Sequence, residues 1–346
     1  MDDDHLAAAL RLAARGRYRA APNPMVGAIV TDASGKVVGR GWHRAQGEPH
    51  AEAVALREAG DRARGGTLYV TLEPCAHHGR TPPCVDAVLA SGVRRVVSTH
   101  VDPDPRTAGR SFQRLRESGI EVEWGALDRE AIELNLRFVV SKLLARPEVT
   151  LKWAMSFDGK IATASGESRW ISSAAGRRWA LGLREEHDAI LVGSGTVLAD
   201  DPALDRRLGR ASAPNLRVVL DRRLRVPPSA RLFQVPGPLL LYTESSDAAR
   251  RDALTERGGE IVVLPRVDAG GVLDDLHRRE VQSLLVEGGG EVLAAFLAAD
   301  LFDRVEVCCA PVLIGGERAP GPLRGAGVAA LADAPRLESV RVGRRG

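Results

Sequence analysis

Residues 73–84 read EPCAHHGRTPPC, two cysteines, two histidines, three prolines and a glycine within one segment. A further histidine, His50, lies upstream in PHAEAVALREAG. Zn²⁺ favours imidazole nitrogen and thiolate sulfur, and three protein ligands leave a fourth tetrahedral position for water, as in catalytic sites. His50, Cys75 and Cys84 suit that role because each falls at the end of a predicted element: His50 opens a helix, Cys75 follows the strand TLYVTL and Cys84 begins the next helix. Water held by zinc ionises near neutral pH and becomes a nucleophile. Glu52 follows His50 by two positions, a spacing that does not share a helix face, so its carboxylate is placed beside the water as a proton shuttle and not as a ligand. Two other readings stand beside this one. His77 and His78 could complete a closed structural zinc site, or both could be plain loop residues.

The run His50-Ala51-Glu52, then Pro74-Cys75, then Cys84 is the ligand pattern of zinc-dependent deaminases, in which the glutamate is the acid/base. The spacing departs from the usual one. Eight residues, AHHGRTPP, separate the cysteines, where nucleic-acid and cytidine deaminases usually have two.

The elements that must position these residues follow from hydrophobic periodicity. An acid-led helix opens the chain, with Leu6, Leu10 and Ala13 at helical spacing. VGAIVTDASGKVVGRGW reads as two strands around an Asp-Ala-Ser-Gly turn, HAEAVALREAG as a helix, TLYVTL as a strand, CVDAVLASG as a helix and RRVVSTHV as a strand. A helix-rich piece spans Asp128 to Leu144, and Pro147 then discourages further helix before the strand VTLKWAM. This sets a domain boundary near residue 146, giving domains 1–145 and 146–346. The second half restarts the pattern, with strands at HDAILVG, LRVVLD, PLLLYT, EIVVLP, QSLLVEGGG and RVEVCCAPVLIG. Strands alternating with helices define an α/β protein.

Composition narrows the class. The 346 residues carry a formal net charge of +3, 44% hydrophobic residues and only 4% aromatics. Arginine is spread beside comparable acid, which predicts solvated faces and not a nucleic-acid groove. No segment approaches the roughly 20 uninterrupted apolar residues of a membrane helix. The acidic N-terminus lacks a secretory n-region, so a cytoplasmic protein with no membrane partner is expected. The four cysteines are too few for a disulfide scaffold. Cys308 and Cys309, adjacent on a strand, are expected to point to opposite faces and pack.

A second constellation lies in the C-terminal half. LLVEGGGEVLAAFL is a strand, a glycine run and a helix, and a helix N-terminus behind glycines lets phosphate approach free N–H groups. GSGTVLADDP is similar. Neither is the G-x-G-x-x-G of a Rossmann domain, and a tight turn accounts equally for each. Alone, Arg184 in GLREEHD reads as a solvated helix residue, Asp200 as a cap, His43 as a surface histidine and Asn23 as a turn residue between prolines.

PNPMVGAIV, HAE, TLEPCAHHGRTPPC, DPDPRTAGR, LKWAMSFDGKIATASGESRWIS, DAILVGSGTVLADDPAL and LLVEGGG together resemble the bifunctional deaminase/reductase family of riboflavin biosynthesis, along nearly the whole chain. The resemblance implies a cytidine-deaminase-like three-layer domain followed by a dihydrofolate-reductase-like α/β domain. It implies zinc-dependent hydrolytic deamination of a diaminopyrimidine phosphoribosyl compound, then NADPH-dependent reduction of its ribosyl group to ribityl. Carried over by motif, His50, Cys75 and Cys84 bind zinc and Glu52 relays protons. Asn23, His43, His77 and Arg80, with His78 nearby, line the deaminase pocket. Ala154, Trp170, Thr196, Asp200, Arg222 and the stretch Gly289, Gly290, Glu291, Val292, Leu293, Ala294 and Ala295 meet NADPH, with Asp200 also catalytic. Lys152, Ser168, Arg184, Leu204, Arg207 and Glu287 meet the substrate, and Asp158 helps organise the pocket with Lys152. Arg222 or Arg223 is expected to favour NADPH over NADH through the 2′-phosphate. The resemblance also implies a homo-oligomer, a dimer or tetramer. It implies a further strand after ESVRVGRRG, so the sheet is expected either to close without it or to leave the reductase half incomplete. The alternatives are a deaminase of nucleic-acid bases whose second half is a binding module, and a non-catalytic protein that uses zinc only to fold.

Overall fold

The computed structural model describes residues 2–77, 82–211 and 213–343. The chain divides into two compact units, Met1–Ala145 and Arg146–Gly346.

The first unit runs α1 (Asp2–Ala13), β1 (Gly27–Thr31), β2 (Val37–Trp42), α2 (Ala51–Ala59), β3 (Thr67–Val70), α3 (Cys84–Ser91), β4 (Arg95–Ser98), α4 (Arg110–Glu117), β5 (Glu121–Trp124), α5 (Asp128–Leu134) and α6 (Leu136–Leu143). Its sheet has the order β2-β1-β3-β4-β5. The strand β1 is antiparallel to β2 and β3, while β3, β4 and β5 are parallel. Successive strand residues face opposite sides, and both sides are apolar. Ala28, Val30, Leu68, Val70 and Val96 pack with Ala51, Ala55, Val85, Phe112 and Leu115, against α2, α3 and α4. Ile29, Tyr69 and Val97 pack with Leu6 and Ala9 of α1. The result is three layers.

Close contact between α2 and the sheet depends on glycine. A Cβ at Gly41 of β2 would lie 2.2 Å from the carbonyl oxygen of Ala51, in the first turn of α2. That approach sets where the N-terminus of α2, and so His50, can sit.

The second unit runs β6 (Glu148–Ser156), α7 (Ala174–Glu186), β7 (Ala189–Gly193), α8 (Ser194–Asp200), β8 (Leu216–Leu220), β9 (Leu239–Thr243), α9 (Ala248–Thr255), β10 (Glu260–Val263), α10 (Ala269–Arg278), β11 (Ser283–Val286), α11 (Gly290–Ala298) and β12 (Arg304–Ala310). The sheet has the order β10-β9-β8-β7-β11-β6-β12, and every pairing is parallel. Central strands such as β7 and β11 are buried along their whole length, as a parallel sheet covered on both faces requires. The last sheet strand is β12, and no strand follows it among the described residues.

Two expectations are corrected. The reading above passed over α4 and β5. Cys309 does not pack: it is exposed, while Cys308 is half-buried, because β12 is an edge strand with one flank uncovered.

Candidate functional site

In the first unit, three element ends converge. His50 is the extended residue ahead of α2, Cys75 lies on the turn after β3 and Cys84 is the first residue of α3. Their ligand atoms lie within 4.8 Å of one another, the one such group among the described residues. The His50 Nδ1 is 3.2 Å from the Cys84 Sγ and 3.6 Å from the Cys75 Sγ. The Cys84 backbone N–H donates to the Cys75 Sγ at 3.3 Å.

The electrostatics agree with the geometry. The Cys84 hydrogen bond, against the cost of burial and with help from His50, lowers the Cys75 thiol to about 4. Cys84 is pushed up in turn, first by Cys75 and then by burial. Two sulfurs so close compete for one proton unless a cation replaces it. The Cys75 hydrogen bond raises His50. Glu52 is buried, its Oε2 has no partner, and burial followed by Cys75 pushes it up to about 7. An orphaned carboxylate oxygen beside one nitrogen and two sulfurs is a donor set that suits zinc and one water.

His43, read from sequence alone as a surface residue, is instead 1% exposed. Its Nε2 accepts from the Asn23 Nδ2 at 3.1 Å, and its Nδ1 donates to the Pro49 carbonyl at 3.3 Å. Burial lowers its pKa, so the ring is neutral, edge-on to His50 at 5.2 Å between centroids. Asn23 and His43 are therefore brought to the His50 side of the site. The Nδ1 of His77 is hydrogen-bonded to the Thr107 hydroxyl at 3.1 Å. His78 and Arg80 lie outside the described residues. The sequence reading missed Glu73, Asp102 and Thr107, all buried around the same turn. Asp102 is pushed up to about 7, chiefly by burial.

In the second unit, β11 runs into Glu287, the glycines 288–290 and α11. Gly289 has φ +80°, and a Cβ there would sit 3.3 Å from the Thr196 Oγ1. A Cβ on Gly290 would meet the Arg324 side chain at 2.5 Å. The space over Gly290 is taken by Arg324, while Gly288 and Gly289 leave a cradle at the helix N-terminus, with Thr196 of α8 beside it, which fits the phosphate portion of a dinucleotide. Val292, half-buried, and Leu293 turn their N–H groups back to the Gly289 carbonyl. The Leu293 side chain is 2% exposed, within the core. Leu293 thus braces the cradle and cannot face a cofactor. Glu291 and Ala295 are exposed, and Ala294 is half-buried.

Arg184 is not the solvated residue its local sequence suggests. Its side chain is 14% exposed, and its Nε and Nη2 each donate to the Glu287 carboxylate at 2.7 Å. Burial would raise the pKa of Glu287, but Arg184 and then Lys152 outweigh it and hold the carboxyl at about 2. Arg184, Glu287 and Lys152 are thus together, with the guanidinium fork of Arg184 closed on Glu287. Leu204 is 1% exposed with φ +54°, its carbonyl accepting from Asn215. It can offer only backbone. Arg207 is exposed and bonded to Asp205 at 2.8 Å. Asp200 pairs with Arg169 at 3.6 Å. Trp170 is 70% exposed beneath the Arg177 guanidinium. Ala154, half-buried, pairs with Cys308 across β6 and β12, and Ser168 is half-buried on the loop before α7. Asp158 accepts the N–H groups of Ile314 and Gly315 at 3.0 and 2.7 Å. Arg222 and Arg223 are exposed just after β8.

These two arrangements define a zinc-dependent deaminase unit joined to a reductase unit. Comparison with known proteins agrees. Residues 1–100 match the cytidine and deoxycytidylate deaminase zinc-binding region, and residues 147–346 match the RibD C-terminal domain. The chain is 42% identical over 346 residues to riboflavin biosynthesis protein RibD of Bacillus amyloliquefaciens, covering 99% of this chain and 93% of that one. A solved structure of Acinetobacter baumannii RibD is similar with a TM-score of 0.89 at 36% identity, covering 99% of this chain and 96% of that one. A Thermotoga maritima diaminohydroxyphosphoribosylaminopyrimidine deaminase/5-amino-6-(5-phosphoribosylamino)uracil reductase is similar with a TM-score of 0.86 at 34% identity, covering 98% and 94%. The chain belongs to the RibD family of riboflavin biosynthesis, bifunctional enzymes with a zinc-binding deaminase domain and an NADPH-dependent reductase domain. No helix among the described residues is long and apolar enough to cross a membrane.

Proposed function

We propose that the first unit, residues 1–145, removes the ring amine of a diaminohydroxyphosphoribosylaminopyrimidine by hydrolysis, and that the second, residues 146–346, reduces the ribosyl chain of the product to ribityl. The Thermotoga maritima relative, which has both activities in its name, supports the substrate class. The observation that carries the reading is the partnerless, buried Glu52 Oε2 beside the convergent His50, Cys75 and Cys84. Those three residues would hold zinc, which supplies an acidified water when bound. Glu52 would accept a proton as a water oxygen adds to the ring carbon that bears the amine, and would pass it to the amine nitrogen, which leaves as ammonia. Neutral His43 and Asn23 orient the pyrimidine, and His77 stands at the pocket wall. In the second unit, Gly289 and Thr196 would hold the NADPH phosphates, Ala154 and Trp170 the nicotinamide, and Arg222 or Arg223 the 2′-phosphate; bound NADPH would supply a hydride. Lys152, with the Arg184–Glu287 pair, meets the sugar. Asp200, Ser168, Arg207 and the Leu204 backbone complete the set.

The deciding experiment follows ammonia release and NADPH oxidation separately in zinc-loaded protein. Glu52→Gln is expected to lose ammonia release by about 10²-fold or more while keeping its zinc. Full ammonia release in that variant excludes the mechanism. We also propose a cytoplasmic homo-oligomer, motivated by the exposed edge strand β12, where Val307 is 37% exposed. Light scattering that returns the mass of one chain rejects the oligomer.

A further inference from the structure

We infer that Glu73 is the positioning residue of the deaminase site: one buried carboxylate locks the turn that carries Cys75 to the loop of residues 102–109, whose Thr107 in turn fixes the ring of His77. The inference deepens the proposed function and rests on its assignment of His50, Cys75 and Cys84 as metal ligands.

Glu73 is 2% exposed. Its Oε2 accepts the N–H of Asp102 at 3.1 Å and that of Gly109 at 2.8 Å, the two ends of the loop. Its Oε1 accepts from Ser111 at 3.0 Å and Phe112 at 3.3 Å, in the first turn of α4. That helix starts badly by itself. Its N-cap is Gly109, no side chain of its own caps it, and its first turn holds Arg110 and no acid. The first N–H groups of a helix need acceptors, and its positive end favours an anion. A carboxylate from the turn after β3 supplies both. The four donors come from both ends of the loop and from the first turn of α4, so the single side chain ties all of them to the turn after β3.

The loop is stiff in its own right. Asp102 accepts the N–H of Asp104 at 2.8 Å, and the Asp104 carbonyl accepts from Thr107 and Ala108 at 2.9 and 3.0 Å. The Asp104 carboxylate holds Arg106, and Lys142 of α6 at 3.1 Å. Thr107 is fully buried, and its hydroxyl meets the His77 Nδ1. Glu73 thereby holds the metal-ligand turn ahead of Cys75, while Thr107 separately fixes the ring of His77 after it. Pro74 adds a fixed φ between anchor and ligand. Groups that orient metal ligands from behind typically carry 10–100-fold in metal affinity.

Glu73→Gln is the test. An amide has one acceptor oxygen and presents a donor at the other position, so it cannot serve both the loop ends, Asp102 and Gly109, and the first turn of α4. In the full chain, zinc affinity measured by competition with a chelator is expected to fall about 10–100-fold, and the visible absorption bands of the Co²⁺-substituted protein are expected to shift. Glu73→Asp keeps the charge but not the reach and should fall between, which carries the test if Glu73→Gln does not fold. Thr107→Val frees His77 alone. It is expected to leave zinc affinity within about twofold and to raise KM for the pyrimidine with kcat retained. Wild-type zinc affinity and cobalt spectrum in Glu73→Gln or Glu73→Asp, whatever the melting temperature, overturn the inference. Loss of zinc from Thr107→Val equal to that from Glu73→Gln overturns the division of roles. A wild-type chain that binds no zinc overturns the ligand assignment and this inference together.

Discussion

Replacing Glu287 by Gln removes the charge from a buried, two-pronged ion pair while keeping its shape, and the cost can be worked in two ways. Arg184 donates twice to Glu287 at 2.7 Å, with the two side chains 14% and 8% exposed. Breaking a buried pair from one side costs about 3–5 kcal/mol, because a charge is left uncompensated. The carboxyl sits at about 2 against 4.5 in an unfolded chain, which corresponds to about 3 kcal/mol of stability at neutral pH. The two routes agree on about 3 kcal/mol. The pKa is depressed on folding, so this contribution is complete above about pH 5 and is lost as the pH falls through 4.5 towards 2. The deficit of Glu287→Gln is therefore expected to be about 3 kcal/mol at pH 7 and about 1 kcal/mol at pH 3. The chain has two units, so a single unfolding midpoint would mix them. Native-state hydrogen exchange read by mass spectrometry on peptides spanning β11 and α7 isolates the affected part. A deficit under about 1 kcal/mol at pH 7, or one that does not narrow on acidification, refutes the reasoning. Replacing both partners by Met should recover most of the loss.

Cys75→Ser and Cys84→Ser are each expected to release zinc on dialysis against chelator; retention in both, read by metal analysis, rejects the three-ligand centre. Arg222→Ala with Arg223→Ala is expected to weaken NADPH binding about tenfold and leave NADH unchanged. An unchanged ratio of dissociation constants rejects their role at the 2′-phosphate. Gly41→Ala is expected to lower the melting temperature of the first unit and its zinc content together, because the new Cβ meets the Ala51 carbonyl at 2.2 Å. A normal melt with full zinc would show that α2 can shift without moving His50.

The fold was legible wherever the hydrophobic period was clean. The buried runs of β7, β9 and β11 leave little room for another reading, and the turn between β1 and β2 announced itself as Asp-Ala-Ser-Gly. By contrast, α4 reads RSFQRLRE with four charges, and β5 buries only Val122 of its four residues. An edge strand needs no apolar alternation, so its period was hidden. The convergence of His50, Cys75 and Cys84 could be read because metal chemistry restricts residue type. The role of Glu73 could not, since its partners are backbone N–H groups of residues 102–112 and backbone carries no residue-specific signal. Arg184 failed for a related reason. A long basic side chain on a helix is usually solvated, and only the return of the chain at β11 brings Glu287 to it.

The spacing between the two cysteines can now be given a physical reason. His50 occupies the N-cap position of α2 but makes no capping hydrogen bond, because its ring is turned to the sulfurs. A helix start is thereby left weaker by about 1 kcal/mol relative to a capped one. Close packing of α2 on the sheet over Gly41 offsets that loss. Cys84 opens α3, and its free backbone N–H at that helix start donates to the Cys75 sulfur at 3.3 Å. Both ligands thus sit where helix starts place them, and neither needs the cysteines to be close in sequence. The intervening residues are free for another task. His77 uses that freedom to reach Thr107, so metal geometry and the pocket wall are set by different contacts of the same turn. A change in the spacer that keeps Cys84 at the start of α3 should alter which pyrimidine is accepted before it alters zinc binding. A spacer variant that loses zinc and keeps its substrate would reverse that order and separate the turn into parts drawn differently from these.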